Sequence, residues 1–305
     1  MRATPPMETA MPEIRFTPLD GPFGVEAHGV AIAQGVDAAT LRALAGAVME
    51  HKLVVLRGQH AEPEAFHAFG RAWGPLRVDG FTETLVPGFH DMYRIGNTGG
   101  LLEQKAYREG ASFWHTDCAA EPDANATTML WCLLAPRSGG ETHFSDLQAA
   151  YEALDAATRA RIDPLVTRHV YSGSAPLLGG REAWEHELNP VTEETRRAIP
   201  PGSVRPLVWT HPVTGRKGLY APAGSMVSID GMDDAEAHAL VRALKLHAIE
   251  DRFLYRHRYR PGDLVMWDNT ATMHAAHDVG PATTEADRRL LYRVVPLGLP
   301  RPLAA

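Results

Sequence analysis

The chain has almost no cysteine. Cys118 and Cys132 are the only two, too few for a disulfide framework and in keeping with a reducing compartment. It also lacks an apolar run long enough for a transmembrane helix. The start, Met1-Arg2-Ala3-Thr4-Pro5-Pro6, has none of the apolar core of a secretion signal. Positive charge is not in excess: 30 Lys and Arg face 37 Asp and Glu, a formal net charge of -7, so no basic face for nucleic acid is expected. No glycine-rich fingerprint follows a strand-like segment, which argues against a dinucleotide-binding fold. Repeats and low-complexity tracts are missing too. What these absences leave is a cytoplasmic protein with neither membrane nor nucleic acid as partner.

What is present suffices for one large domain: 305 residues, 45% of them hydrophobic, can bury a sizeable core. Residues 1–12 are Pro-rich and aperiodic, so they are expected to be disordered, with a single domain over 13–300. Ile14 to Leu19 alternates like a strand. Asp37 opens a helix carrying Leu41, Leu44, Val48 and Met49 at helical spacing. Leu53–Leu56 reads as a short buried strand, and Glu62 to Trp73 as a second helix with Phe66, Phe69 and Trp73 on one side.

From Asp91 the texture changes to short strands punctuated by Gly, Pro and Asn. Met92 to Ile95, Thr127 to Leu134, Glu141 to Phe144, Leu264 to Asp268 and Leu290 to Leu297 are the clearest. Asp146 caps a helix through Tyr151 and Leu154. Arg205 to Trp209 and Gly218 to Ala221 form an expected hairpin. A helix from Asp233 groups Leu240, Ala243, Leu244 and His247 on one face. Gly96 to Ala111 reads as a polar loop, with 97–111 a candidate lid, and 172–204 as an excursion rich in Gly, Pro and charge. The expectation is a mainly β fold with surrounding helices, built on a double-sheet jelly-roll core.

The chemistry centres on Phe113-Trp114-His115-Thr116-Asp117. In an extended segment side chains two apart point the same way, so His115 and Asp117 can grip adjacent corners of one metal ion. His274 is the fitting third ligand. Two His and one carboxylate make the facial triad of non-haem Fe(II) oxygenases, with positions left open. Each residue also has a structural reading: a hydrogen-bonded core histidine, or an aspartate capping a turn. Arg289 and Arg293 sit four apart on the last strand, on one otherwise apolar face. Buried guanidinium groups need an anion, and they match carboxylates bidentately. That anion is either a dicarboxylate cosubstrate or an internal Asp or Glu.

Taken in order, Phe113 to Asp117, Gly139-Gly140-Glu141-Thr142, His211-Pro212-Val213-Thr214-Gly215-Arg216, Gly262 to Asn269, His274 and Arg289 resemble the successive signatures of the taurine and 2,4-dichlorophenoxyacetate dioxygenase (TauD/TfdA) family. The resemblance runs from about residue 14 to 297. It implies a double-stranded β-helix of the clavaminate synthase type, using Fe(II), 2-oxoglutarate and O₂. His115, Asp117 and His274 then hold iron. Thr142 and Arg289 hold the far carboxylate of 2-oxoglutarate, and Arg293 lies near the cosubstrate and the substrate's anionic group. It further implies a homo-oligomer, dimer or tetramer.

Two departures stand out. Thr270 replaces a frequent arginine after Trp-Asp-Asn. The segment Leu76 to Phe81 offers no histidine for a sulfonate, which argues against taurine itself. Asp79 in that segment is a candidate for a cationic part of a substrate, against the reading of a solvated surface aspartate. The expected reaction hydroxylates an unactivated C–H of a small, anionic molecule, with CO₂ and succinate as coproducts, and with C–O or C–S cleavage where the product falls apart. A Zn-dependent hydrolase or isomerase on the same barrel is the alternative, because the triad suits zinc as well. A non-catalytic module that keeps the barrel is the third reading.

Overall fold

The computed structural model describes residues 14–78, 82–108, 111–122, 127–170, 202–223, 225–277 and 279–304. The expected disorder of 1–12, Asp79, and nearly all of the 172–204 excursion lie outside them.

Seven strands form the main sheet, in the order Arg15–Pro18, Val25–His28, Leu53–Leu56, Leu264–Asp268, Thr127–Leu134, Leu290–Val294, Tyr93–Gly96. Its pairings are antiparallel except between the second and third strands. The central strands are apolar on both faces because both are covered. Val54, Leu56, Met129, Trp131, Leu264, Met266 and Val294 pack with Leu44, Val48, Phe66, Phe69 and Trp73 of the helices Ala38–His51 and Pro63–Trp73. Their neighbours Leu53, Val55, Leu130, Cys132, Val265, Trp267 and Leu291 face the other way and meet Phe144 and Tyr255. Those two belong to a three-stranded sheet, Leu254–His257, Thr142–Asp146, Thr272–Ala276. The inter-sheet core between these two sheets is the interior of the jelly roll, and each fully buried Leu, Val or Phe there contributes roughly 1.5–3 kcal/mol. The helix Asp234–Ala248 and the short helix Leu147–Glu152 cover the outside of the smaller sheet.

Helix starts follow the aspartates. Asp37, Asp146 and Asp233 each accept backbone N–H groups of the first turn, worth about 1 kcal/mol apiece. No helix among the described residues is long and apolar enough to cross a membrane.

Some expectations shift. Gly96 to Ala111 is not a plain loop: Gly100–Glu103 is a 3-10 turn and Lys105–Arg108 a helical turn. Arg205 and Pro206 are not in the hairpin. They belong to Ser203–Pro206, which pairs with Val166–His169, while the hairpin joins Val208–Thr210 to Lys217–Leu219. Leu207 is the crossover, donating to the Leu165 carbonyl and accepting from Tyr220. On the helix Asp234–Ala248 the buried face holds Val241 and Ala248 rather than Ala243. The last regular strand stops at Val294, because Pro296 has no N–H to continue a ladder.

Candidate active site

An antiparallel bridge between His115 and His274 assembles the ligand candidates. Each donates its backbone N–H to the other's carbonyl, at 2.9 and 2.8 Å. Residues directly opposite in such a pair present their side chains to one side, and the imidazole centroids are 4.2 Å apart. Thr116 between the ligands locks the bridge, its Oγ1 donating to the Thr272 carbonyl at 3.0 Å. Asp117 returns to the imidazole side, with Oδ1 3.7 Å from His115 Nε2 and Oδ2 3.9 Å from His274 Nε2. One ligand atom from each of the three lies within 4.8 Å of the others, the one such group of three among the described residues.

The protonation states suit a metal. His115 Nδ1 donates to the Phe113 carbonyl at 2.8 Å, which fixes the tautomer and turns the Nε2 lone pair toward the cluster. Burial pushes His274 well below the usual imidazole range, and His115 and Arg293 act in the same direction. Its Nδ1 is buried without a hydrogen-bond partner among the described residues. Burial alone would raise the Asp117 carboxyl. Arg293, the two histidines and the Thr128 hydroxyl more than offset that and hold it below the ordinary carboxylate range. Two imidazoles and one carboxylate are the donor set of non-haem iron sites.

The other half of the site is carried by the strand Leu290–Val294 and the residue before it. Leu291 lies in the inter-sheet core, while Val294 lies under the helices. Alternation therefore turns Arg289 and Arg293 inward with Leu291. Arg293 Nη2 is 3.2 Å from Asp117 Oδ1. Arg289 is 2% exposed. Its Nε donates to the Gly140 carbonyl at 3.0 Å and its guanidinium lies 5.4 Å from the Tyr259 ring centroid. It has no acidic ion-pair partner among the described residues, and its terminal nitrogens donate to none of them. Gly140 makes room for it: at φ +73 a Cβ there would stand 2.9 Å from Arg289 Cδ. A cavity of about 240 Å³ reaches Arg289 and Gly140 past Ser138 and Thr283.

Thr142 is buried beside this guanidinium's neighbour: its Oγ1 is 3.0 Å from the Tyr259 phenol oxygen. Tyr259 was not among the sequence candidates. The signal for it was the alternation of Tyr255, His257 and Tyr259, because Tyr255 lies in the inter-sheet core and residues two and four further on face the same way. Burial pushes the Tyr259 phenol above its ordinary range, so it stays protonated.

Four other histidines make contacts of their own. His211 Nδ1 accepts the N–H groups of Val213 and Thr214 at 3.2 and 3.0 Å, and Nε2 donates to Asp268 at 2.7 Å. Thr270 also binds Asp268, through N and Oγ1, both at 2.8 Å. His257 faces the buried Asp263 at 3.2 Å. His143 stacks on His277 at 4.5 Å. Cys118 is a buried thiol, its Sγ 3.6 Å from Arg77. Asn97, at the start of the candidate lid, is an anchor: Oδ1 accepts the Arg289 N–H at 2.7 Å, and Nδ2 donates to the Gly280 and Asp287 carbonyls at 2.9 Å.

Comparison with known proteins gives the same direction. The family described as "Taurine catabolism dioxygenase TauD, TfdA family" matches residues 15–295. The α-ketoglutarate-dependent 2,4-dichlorophenoxyacetate dioxygenase of Cupriavidus pinatubonensis is 31% identical over 267 residues, 84% of this chain and 90% of that one. The α-ketoglutarate-dependent sulfate ester dioxygenase of Pseudomonas putida is 28% identical, over 94% of this chain and 92% of its own. Among solved structures, AAD-2 in complex with Mn(II) and N-oxalylglycine superposes with a TM-score of 0.76 at 26% identity, covering 94% of this chain and 97% of the other.

Proposed function

The chain belongs to the taurine catabolism dioxygenase TauD, TfdA family and is a 2-oxoglutarate-dependent dioxygenase; from that premise we propose which residues carry the reaction and what kind of substrate it takes. His115, Asp117 and His274 hold iron(II). Arg289 and Thr142 bind the far carboxylate of 2-oxoglutarate, and Arg293 serves the cosubstrate's near side and the substrate's anionic group. The observation that carries this reading is the coexistence, in one interior, of a two-His, one-carboxylate cluster and a buried guanidinium with no acidic ion-pair partner among the described residues. A zinc-dependent hydrolase needs no dicarboxylate cosubstrate and leaves that guanidinium unexplained, and the named relatives give that alternative no support.

Iron(II) at this cluster supplies the activation of O₂, so that R–H, 2-oxoglutarate and O₂ become R–OH, succinate and CO₂. The chain's own part is positional. Phe113 and Thr128 orient His115 and Asp117. Arg289 and Thr142 set the cosubstrate's far end. The apolar walls of Phe144, Trp267 and Leu291 exclude water. The relatives named for a phenoxyacetate and a sulfate ester support a small organic anion. Both classes carry a carbon–oxygen bond, so hydroxylation beside oxygen would release the two halves.

We place a lid at 97–111, hinged beyond the anchored Asn97, and read the protein as a cytoplasmic homo-oligomer, dimer or tetramer. The test is succinate formation from 2-oxoglutarate with Fe(II) and O₂ across carboxylates, sulfonates, sulfate esters, phosphonates and N-acyl amino acids. At least one class should stimulate turnover, and His115→Ala should abolish it. Failure of the wild type to bind 2-oxoglutarate anaerobically in the presence of Fe(II) would sink the residue assignment.

A further inference from the structure

We propose that Thr128 is a positioning residue for Asp117, and that Trp267 and Asn269 fix the direction of its hydroxyl proton. This rests on reading His115, Asp117 and His274 as metal ligands. Trp267 Nε1 can only donate, and it lies 2.9 Å from Asn269 Oδ1. That contact decides which way the asparagine amide is turned. Its Nδ2 then faces Thr128 and donates to Oγ1 at 2.9 Å. Having accepted that bond, the Thr128 hydroxyl has one proton left to direct, and Asp117 Oδ2 stands 2.7 Å away. The order is Trp267 to Asn269 to Thr128 to Asp117, and the geometry does not allow the reverse, because an indole nitrogen accepts nothing.

The relay is dry and rigid. Trp267 and Asn269 are each 1% exposed and Thr128 is 0% exposed, so bulk water cannot substitute for a missing link. Thr128 and Trp267 are direct partners in the register between Thr127–Leu134 and Leu264–Asp268. The β-branched threonine holds its hydroxyl in few rotamers. The Trp267 ring also meets His274 edge-on, at 4.8 Å between centroids. One side chain thereby touches the second histidine directly and steers the carboxylate through two intermediaries. The effect is to pin Asp117 by Oδ2 and fix the carboxylate plane. Outer hydrogen bonds of this kind change metal affinity roughly 10–100-fold.

The experiment titrates the metal-free protein with Mn(II), following free Mn(II) by electron paramagnetic resonance, alongside thermal unfolding of the same metal-free samples. Thr128→Val keeps the shape but removes the hydroxyl, and should weaken Mn(II) binding about 10–100-fold. Thr128→Ser restores the hydroxyl and should return to within a few-fold of wild type. Asn269→Asp leaves Thr128 and Asp117 intact but draws the hydroxyl proton to itself, and should weaken Mn(II) as Thr128→Val does. If Thr128→Val does not fold, Asn269→Asp and Thr128→Ser decide. A folded Thr128→Val with wild-type affinity, or a folded Thr128→Ser as weak as Thr128→Val, overturns the relay. His115→Ala separates the two levels. If it binds Mn(II) like wild type, the metal reading falls and the relay with it. If it loses Mn(II) while Thr128→Val does not, the relay alone falls.

Discussion

Arg289→Met should weaken 2-oxoglutarate binding without weakening the fold. The guanidinium is buried beside the Tyr259 ring, and its one hydrogen bond among the described residues runs from Nε to the Gly140 carbonyl at 3.0 Å. Burial lowers its pKa, as befits a cation that lacks a counter-ion among the described residues. A carboxylate placed against the terminal nitrogens would receive two charge-assisted bonds, together worth about 3 kcal/mol or about 150-fold in Kd. Removing an unpaired buried charge in favour of an apolar chain of similar length removes a desolvation cost, which offsets the about 1 kcal/mol lost with the bond to Gly140. Binding and stability should therefore move apart. Anaerobic calorimetry of 2-oxoglutarate with Mn(II)-loaded protein measures the first, and urea unfolding without cosubstrate the second. Binding within threefold of wild type would refute the reasoning. So would a stability loss above about 3 kcal/mol, which is the signature of a broken internal ion pair.

Lys52→Met strands a buried carboxylate, because Lys52 Nζ donates to Asp146 Oδ2 at 2.8 Å with both side chains under a tenth exposed. It should cost about 3 kcal/mol in urea unfolding, and a loss under 1 would show the pair to be dispensable. Gly140→Ala forces a side chain onto φ +73 and into Arg289 Cδ; KM for 2-oxoglutarate should rise several-fold while Mn(II) affinity holds. His169 gives an acid-dependent prediction: burial, helped by Arg205, pushes its pKa from 6.5 down to about 3. The unfolded chain then protonates first, so stability is full above pH 6.5 and lost progressively toward pH 3. The loss from this residue alone between pH 7.5 and 5 is about 2 kcal/mol. His169→Gln should remove that slope, and an unchanged slope in urea melts at the two pH values would count against it.

Local geometry was readable from the residues and long-range register was not. His115 and Asp117 could be put on one side of a strand from their spacing alone. Asp37, Asp146 and Asp233 announced their helices because a short carboxylate at a helix start has few other uses. Arg289 and Arg293 could be placed together by parity. Tyr259 and the Trp267–Asn269–Thr128 relay escaped, because each depends on which residue of one strand lies opposite which of another far along the chain. Alternation states the face of a residue but not its partner. The same gap misassigned Arg205 and Pro206, whose pattern suits either neighbouring strand until Leu207 is seen to cross between them.

The strand Leu290–Val294 explains why the cosubstrate is legible and the substrate is not. Arg289 and Arg293 are four residues apart on an extended segment, so their Cα atoms are separated by about 13 Å. One reaches Asp117 and the other the cradle of Gly140, Thr142 and Tyr259. Leu291 lies between them and packs against the inter-sheet core. On the proposed reading the distance from metal cluster to carboxylate cradle is set by the sixth strand of a seven-stranded sheet, which cannot lengthen without breaking its pairings on both sides. A cosubstrate held at both ends in the proposed way would be selected by length, and the selecting element is a strand paired on both sides. On the same reading the substrate meets the candidate lid at 97–111, a connection where insertions and exchanges leave the sheets untouched. Changes beyond Asn97, which itself holds the Arg289 N–H, should alter the substrate's KM and leave the affinity for 2-oxoglutarate alone.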